Sequence, residues 1–245
     1  MICAHERSGD LQGVRLARGC PPLTHCMFAD DTIVFLKADR NNCLNFKQIL
    51  GMYCEASGQA INFSKSNLFF SRNTPDDVRE EIGCCLGVVE VEDPGHYLGL
   101  PVLWGGSRQK ALAYVRDKVG KKVMGLQKKC LSFAGREIMI KAVVNAIPIY
   151  PMSCFKFPAG SCKELNSLVA NFFWSNSSAS ATLHWKAWEK LTDPKTDGGL
   201  GFKDFMCFND ALLAKTAWRI LVHPEDYWAK VLKSIYFPTT SFLLE

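Results

Sequence analysis

The chain has 245 residues, of which 48% are hydrophobic and 22% charged, with 29 Lys plus Arg against 24 Asp plus Glu for a net charge of +5. This is the composition of a globular chain with one large domain or two small ones; it excludes wholesale disorder, collagen-like repeats and low-complexity scaffolds. No apolar run approaches the ~18 residues of a membrane span, and the N-terminus lacks the apolar stretch of a secretory signal, so an intracellular chain with no membrane partner is expected. Its eleven cysteines include no Cys-x-x-Cys, which favours reduced thiols packed as small hydrophobes over disulfides or structural zinc.

In chain order, the first 22 residues read as an irregular entry. Residues 23–28 and 32–36 are short, β-branched and aromatic runs separated by Ala29-Asp30-Asp31, a hairpin composition. Asp39 or Asn41 can cap a helix that presents Cys43, Phe46, Leu50 and Tyr53 on one face and ends at Ser57-Gly58. Residues 61–64 and 67–71 read as strands around Lys65. Pro75 is placed for the first position of a short helix closing at Gly83 or Gly87, and residues 96–103 form a strand pair broken by Gly99 and Pro101. Strands interleaved with helices to about residue 104 predict an α+β layer architecture.

Beyond residue 104 the pattern turns helical. Residues 107–130 place Ala111, Leu112, Val115, Val119 and Leu126 on one face; further helices are predicted over 132–146, stopped by Pro148 and Pro151, over 162–174 and over 208–222. Residues 175–182 are small and polar, a linker composition, and Asp197-Gly198-Gly199 marks a turn.

The charge is concentrated. Residues 107–130 hold eight Lys and Arg against one Asp, a net of +7, which leaves the rest of the chain at −2. A basic helix is often only a solvated face; clustered cations also track phosphates, gaining affinity through counterion release. Lys121-Lys122 and Lys128-Lys129 are seven residues apart and share one side of the helix.

Asp30-Asp31 taken alone is turn chemistry. Set between the apolar runs Phe28-Ala29 and Thr32-Ile33-Val34-Phe35, it becomes a carboxylate pair carried outward on a rigid turn, the donor type that phosphoryl transfer by two divalent cations requires. A metal-dependent hydrolase is disfavoured, because no His or Cys cluster accompanies the pair.

In this setting the chain resembles the reverse transcriptase of plant LINE-type (non-LTR) retrotransposons. The resemblance is carried in order by Phe28-Ala29-Asp30-Asp31, by residues 57–66 (Ser-Gly-Gln-Ala-Ile-Asn-Phe-Ser-Lys-Ser), by Tyr97-Leu98-Gly99-Leu100-Pro101, by residues 131–137 and 146–150, and by Trp185 to Trp188 with residues 197–202. It implies a partial right-hand polymerase palm over 1–104, a helical thumb over 105–175 and a C-terminal helical or linker region over 176–245. It further implies Asp30 and Asp31 as Mg2+ ligands and catalytic carboxylates, and Lys65 as the acid that assists the leaving pyrophosphate. Tyr97, Leu98 and Gly99 would hold the primer end, while Lys118, Lys121, Lys122, Lys128, Lys129 and Arg136 would contact nucleic acid. The implied partners are an RNA template and a DNA primer, and the implied activity is RNA-directed DNA polymerisation, a nucleotidyl transfer.

One part of that machinery has no counterpart here. Only 29 residues precede Asp30, and their acidic members, Glu6 and Asp10, do not lie on an apolar strand. The expectation is therefore a reverse-transcriptase-like fragment that does not polymerise alone. The alternative is a non-catalytic nucleic-acid-binding module that works through the basic helix. A palm lacking upstream strands also predicts looser packing in the first hundred residues than beyond them.

Overall fold

The structure is a computed structural model that describes residues 1–103, 108–127, 131–175 and 183–240. Ser107, Lys128, Lys129, Cys130 and the polar stretch 176–182 lie outside the described residues, as do the side chains of Arg108, Lys110 and Ala111. The fold is α+β and mainly helical. It divides into two units, Met1–Leu103 with His223–Glu245, and Trp104–Val222.

In the first unit, α1 (Ile2–Ser8) occupies the stretch that sequence alone left irregular, and Gly9 closes it at φ 85. A β-hairpin follows, β1 (His25–Phe28) antiparallel to β2 (Asp31–Val34). Of the two candidate caps for α2 (Arg40–Ser57), Asp39 is the one used: its carboxylate accepts the Asn42 N–H, and Gly58 ends the helix in the left-handed conformation. Cys43 and Phe46 are buried as the helical spacing predicts. Ile49 rather than Tyr53 completes the buried stripe, so the apolar face is rotated slightly from the one read in sequence.

Residues 61–64 are not a strand. Asn62 caps a single 3-10 turn over Phe63–Lys65, its side chain accepting the Lys65 N–H, a local competition with the ladder that a run of alternating residues does not reveal. Next, β3 (Asn67–Leu68) and β4 (Val89–Glu90) pair in parallel around α3 (Asp76–Leu86), with Pro75 just outside that helix rather than in its first position. Arg79 binds the crossover together, donating to the Thr74 and Ser71 carbonyls and to Glu90. A second hairpin, β5 (His96–Tyr97) with β6 (Leu100–Pro101), ends this stretch.

The core of the first unit is small: Leu11, Phe46 and Ile49, with Ile2, Val34, Leu36, Leu50, Met52 and Leu86 against them. Much of its order comes from Asn42, which is 3% exposed. Its amide spans the Gln12 peptide, Oδ1 accepting from Gln12 N at 2.8 Å and Nδ2 donating to Gln12 O at 2.8 Å, and Nδ2 also donates to Lys37 O at 2.9 Å.

In the second unit, α4 (Arg108–Gln127) buries Leu112, Val115, Val119, Val123 and Leu126. The helix expected over 132–146 begins as α5 (Phe133–Met139), capped by Ser132, and widens into one π-helical stretch over Ile140–Val144. Pro148 does not end the helical structure. It immediately precedes α6 (Ile149–Cys154), where Pro151 sits in the first turn, whose N–H groups need no helical partner. Then follow α7 (Ala159–Trp174), α8 (Trp188–Thr192) and α9 (Phe205–Val222). The last begins three residues before its sequence-predicted start, because Asp204 accepts the N–H groups of Met206 and Cys207 and so caps it.

A continuous core runs through this unit. Val119, Ile140, Val144, Met152, Val169 and Phe205 are all wholly enclosed, and Phe173 and Phe202 meet edge to face at 5.1 Å. The larger core lies beyond residue 104, as the sequence predicts. Glu137 ties the unit's surface together by accepting from Lys141 at 2.7 Å and Lys195 at 3.2 Å. Those ammonium groups, the Lys141 hydrogen bond foremost, hold its carboxyl below the ordinary glutamate range. The C-terminal α10 (Tyr227–Tyr236) belongs to the first unit, where the Tyr227 hydroxyl donates to Pro22 O at 2.8 Å.

Candidate functional site

The pairing of β1 with β2 runs from His25↔Val34 to Phe28↔Asp31, which leaves Ala29 and Asp30 as a two-residue turn. Asp31 is thus the first strand residue and Asp30 the apex. Both are exposed. Ala29 has φ 53, a left-handed conformation that costs a residue with a Cβ about 1 kcal/mol. The ladder pairs on either side hold it there. The carboxylates are carried on a tight, laterally paired turn beside the exposed side chains of Met27 and Phe28.

The Tyr97–Leu100 hairpin is built similarly. Leu98 and Gly99 take φ 52 and 79, two consecutive left-handed residues of the kind that match the twist of paired strands. Burial pushes the Tyr97 hydroxyl up from its ordinary pKa, and the Cys26 thiol and Asp31 carboxylate push it further. Tyr97 therefore lies close enough to Asp31 for that charge to bear on its hydroxyl.

Lys65 ends the 3-10 turn, exposed. No hydrogen bond or ion pair joins it to Asp30 or Asp31 among the described residues. The donor set for Mg2+ is small: among the described residues no three His, Cys, Asp or Glu side chains converge on a common point. Two divalent cations need carboxylates from more than one strand to bridge the attacking and leaving oxygens. Asp30 and Asp31 alone do not fit that group, and no metal-dependent step follows from the residues present.

On α4, Lys118, Lys121 and Lys122 are exposed within little more than one turn of each other, flanking the buried stripe, and none is ion-paired with a described residue. Arg116 lies on the opposite flank, engaged by Glu164 of α7 at 3.2 Å and by Asp117. Arg136 has a structural partner: it donates to Phe173 O at 2.9 Å near the C-terminal end of α7 and lies over the Phe133 ring at 5.2 Å. A third basic surface escaped sequence reasoning. In the first unit, Arg15, Lys230 and Lys233 line an open recess of about 390 Å³ with Pro21, Pro22 and Ser234. Glu225 accepts from Lys230 at 2.9 Å and offsets part of its charge. The only local signal was Lys230 and Lys233, spaced i,i+3 on an amphipathic helix.

No protein-family model matches the chain. It is similar to an uncharacterized mitochondrial protein of Arabidopsis thaliana, 43% identical over 99 residues, 40% of this chain and 64% of that protein. It is also similar to an Arabidopsis thaliana protein named "Putative ribonuclease H protein", 31% identical over 137 residues, 56% of this chain and 22% of that protein. The chain thus spans less than two thirds of either relative's length. No helix among the described residues is long and apolar enough to cross a membrane.

Proposed function

We infer that the chain is a segment of a retroelement-type reverse transcriptase, with the two hairpins of the first unit as palm and the basic helix with its packing partners as thumb, and that it binds nucleic acid without polymerising it alone. The observation that supports this reading is the tight hairpin that carries Asp30 at its apex and Asp31 as its next strand residue, both exposed. In this reading the Tyr97–Leu100 hairpin would hold a primer end within the same unit as the two carboxylates. The similarity to a plant protein named for ribonuclease H, an activity on RNA paired with DNA, points to the same class of substrate. The missing component is a third ligand. In this reading Lys65 serves the pyrophosphate only where that further ligand is supplied.

Primer extension on an RNA template with Mg2+ tests the catalytic half. No incorporation is expected from this chain, whereas incorporation that Asp30→Ala abolishes would overturn the reading.

A second reading, a binding module only, is favoured by Lys118, Lys121 and Lys122, none of which is ion-paired with a described residue. Both readings expect affinity for a primer–template duplex to fall steeply with salt, log K dropping by roughly 0.9 per phosphate contact for each tenfold rise in salt. Lys121→Glu with Lys122→Glu is expected to weaken binding at least tenfold and to flatten that slope. A slope unchanged by the double variant would remove α4 from the interface.

A further inference from the structure

We propose that Cys3 is a modification site, a thiol activated by His25 to exchange with disulfides such as oxidised glutathione. The assignment is independent of the nucleic-acid reading. Cys3 Sγ lies 3.8 Å from His25 Nε2, the other ring nitrogen lies 2.9 Å from Thr24 Oγ1, and Thr24 Oγ1 donates to Glu6 Oε2 at 3.1 Å.

This chain of contacts fixes the tautomer. A threonine hydroxyl has one proton, and Thr24 gives it to the Glu6 carboxylate. Its oxygen is then an acceptor toward the imidazole, so Nδ1 carries the ring proton and Nε2 presents a bare lone pair to the thiol. Thr24 is 4% exposed and held by the fold, whereas Cys3 is open to solvent. Nucleophile, base and a third group orienting the base form the arrangement that activates a thiol. Glu6 stabilises the imidazolium that results, through Thr24. Cys26 follows His25 on β1, where alternation turns it to the other face, and the Tyr227 phenol of α10 has its pKa raised by burial first and then by Cys20, Glu6 and Cys26.

In the exchange, the Sγ proton passes to Nε2 and the thiolate attacks one sulfur of the disulfide. A new S–S bond forms as the old one breaks, and the departing glutathione thiolate takes the proton from the imidazolium. One thiol and one disulfide are consumed, and one of each is produced.

The other exposed cysteines provide the comparison. Cys84 and Cys154 have no imidazole partner among the described residues, and the Asp204 carboxylate pushes the Cys207 thiol up. The full-length chain is treated separately with oxidised glutathione and iodoacetamide, and each cysteine is followed by peptide mass spectrometry. Cys3 is expected to react at least about tenfold faster than Cys84 and Cys154 at pH 7, where an unperturbed thiol is only a few per cent ionised. His25→Gln is expected to bring Cys3 down to the Cys84 rate, and Glu6→Gln to give an intermediate rate. Continued protection of the buried Cys20 and Cys43 in both variants reports an intact first unit. Equal rates for Cys3 and Cys84 in the native chain, or a Cys3 rate indifferent to His25→Gln, overturn the proposal.

Discussion

Asn209→Ala is expected to destabilise the second unit by about 3 kcal/mol or more, a fall of roughly 10 °C in melting temperature. Asn209 is 1% exposed on α9, and every polar atom of its amide is used. Nδ2 donates to Met152 O at 2.7 Å and Phe155 O at 2.9 Å, carbonyls at the C-terminal end of α6 that the helix itself leaves unpaired, and Oδ1 accepts from Phe157 N at 2.8 Å. Truncation removes three hydrogen bonds to main-chain groups of the α6–α7 connection at a buried position. The unmet desolvation dominates the cost, since each stranded group is worth about 1–3 kcal/mol. Asn209→Asp is expected to be no better: it keeps the acceptor for Phe157 but turns a carboxylate toward two carbonyl oxygens. Asp210→Ala next door breaks only the exposed pair with Lys156 and is expected to cost less than about 1 kcal/mol. Urea unfolding of the three variants separates these outcomes, and an Asn209→Ala chain within about 0.5 kcal/mol of wild type would refute the account.

Asn209 and Asn42 also mark where sequence reasoning stops. The local signals of α2 and α4 were readable: Asp39 before the apolar stripe, Gly58 after it, and Leu112, Val115, Val119 and Leu126 at helical spacing are all used as their positions suggest. An asparagine near the start of a helix reads as a weak helix former and a solvent-facing residue. In both cases the partner is main chain of another segment, Gln12 and Lys37 for Asn42, and residues 152–157 for Asn209. No local periodicity encodes such a bond. The strand misread over 61–64 has the opposite origin, since there the Asn62 side chain overrides alternation within four residues.

The candidate site divides along the same line. The hairpin and its acidic apex were legible because apolar runs flank a turn composition. The approach of Tyr97 to Asp31 was not, and neither was the recess formed by Arg15 with Lys230 and Lys233, whose residues come from opposite ends of the chain. Arg136 shows the reverse case. A basic residue in the first turn of α5 suggested a phosphate contact or a local cap or salt bridge, and its guanidinium donates to the Phe173 carbonyl and lies over the Phe133 ring. In the present reading Lys118, Lys121 and Lys122, free of such partners, carry the phosphate-facing charge.

Gly199→Ala is expected to destabilise the chain by about 3 kcal/mol, roughly twice the effect of the same change at the adjacent Gly198. The two glycines are needed for different reasons. Gly198 has φ 77 with open space around it, so an added Cβ there meets only left-handed strain of about 1–2 kcal/mol. At Gly199 a Cβ would stand 2.0 Å from Asp193 O and 2.8 Å from Asp193 Cα. Those atoms are main chain and cannot turn aside as a rotamer would. The turn is also cross-braced: Gly199 N donates to Pro194 O, Leu200 N and Phe202 N to Leu191 O, and Gly201 N to Asp193 O. Opening it enough to admit a methyl group therefore moves Leu200 to Phe202 together. Phe202 is 3% exposed, stacked on Trp188 at 5.3 Å and edge-on to Phe173 at 5.1 Å, so the strain reaches the core, where overpacking of this kind costs about 1–3 kcal/mol beyond the turn itself. The motif Asp197-Gly198-Gly199-Leu200-Gly201-Phe202 is thus a device for seating Phe202, and its glycines need no catalytic explanation. Near-ultraviolet circular dichroism, which reports the Trp188–Phe202 stack, is expected to weaken in Gly199→Ala and to persist in Gly198→Ala. Equal spectra with equal melting temperatures would show that the Asp193 contact does not constrain the turn.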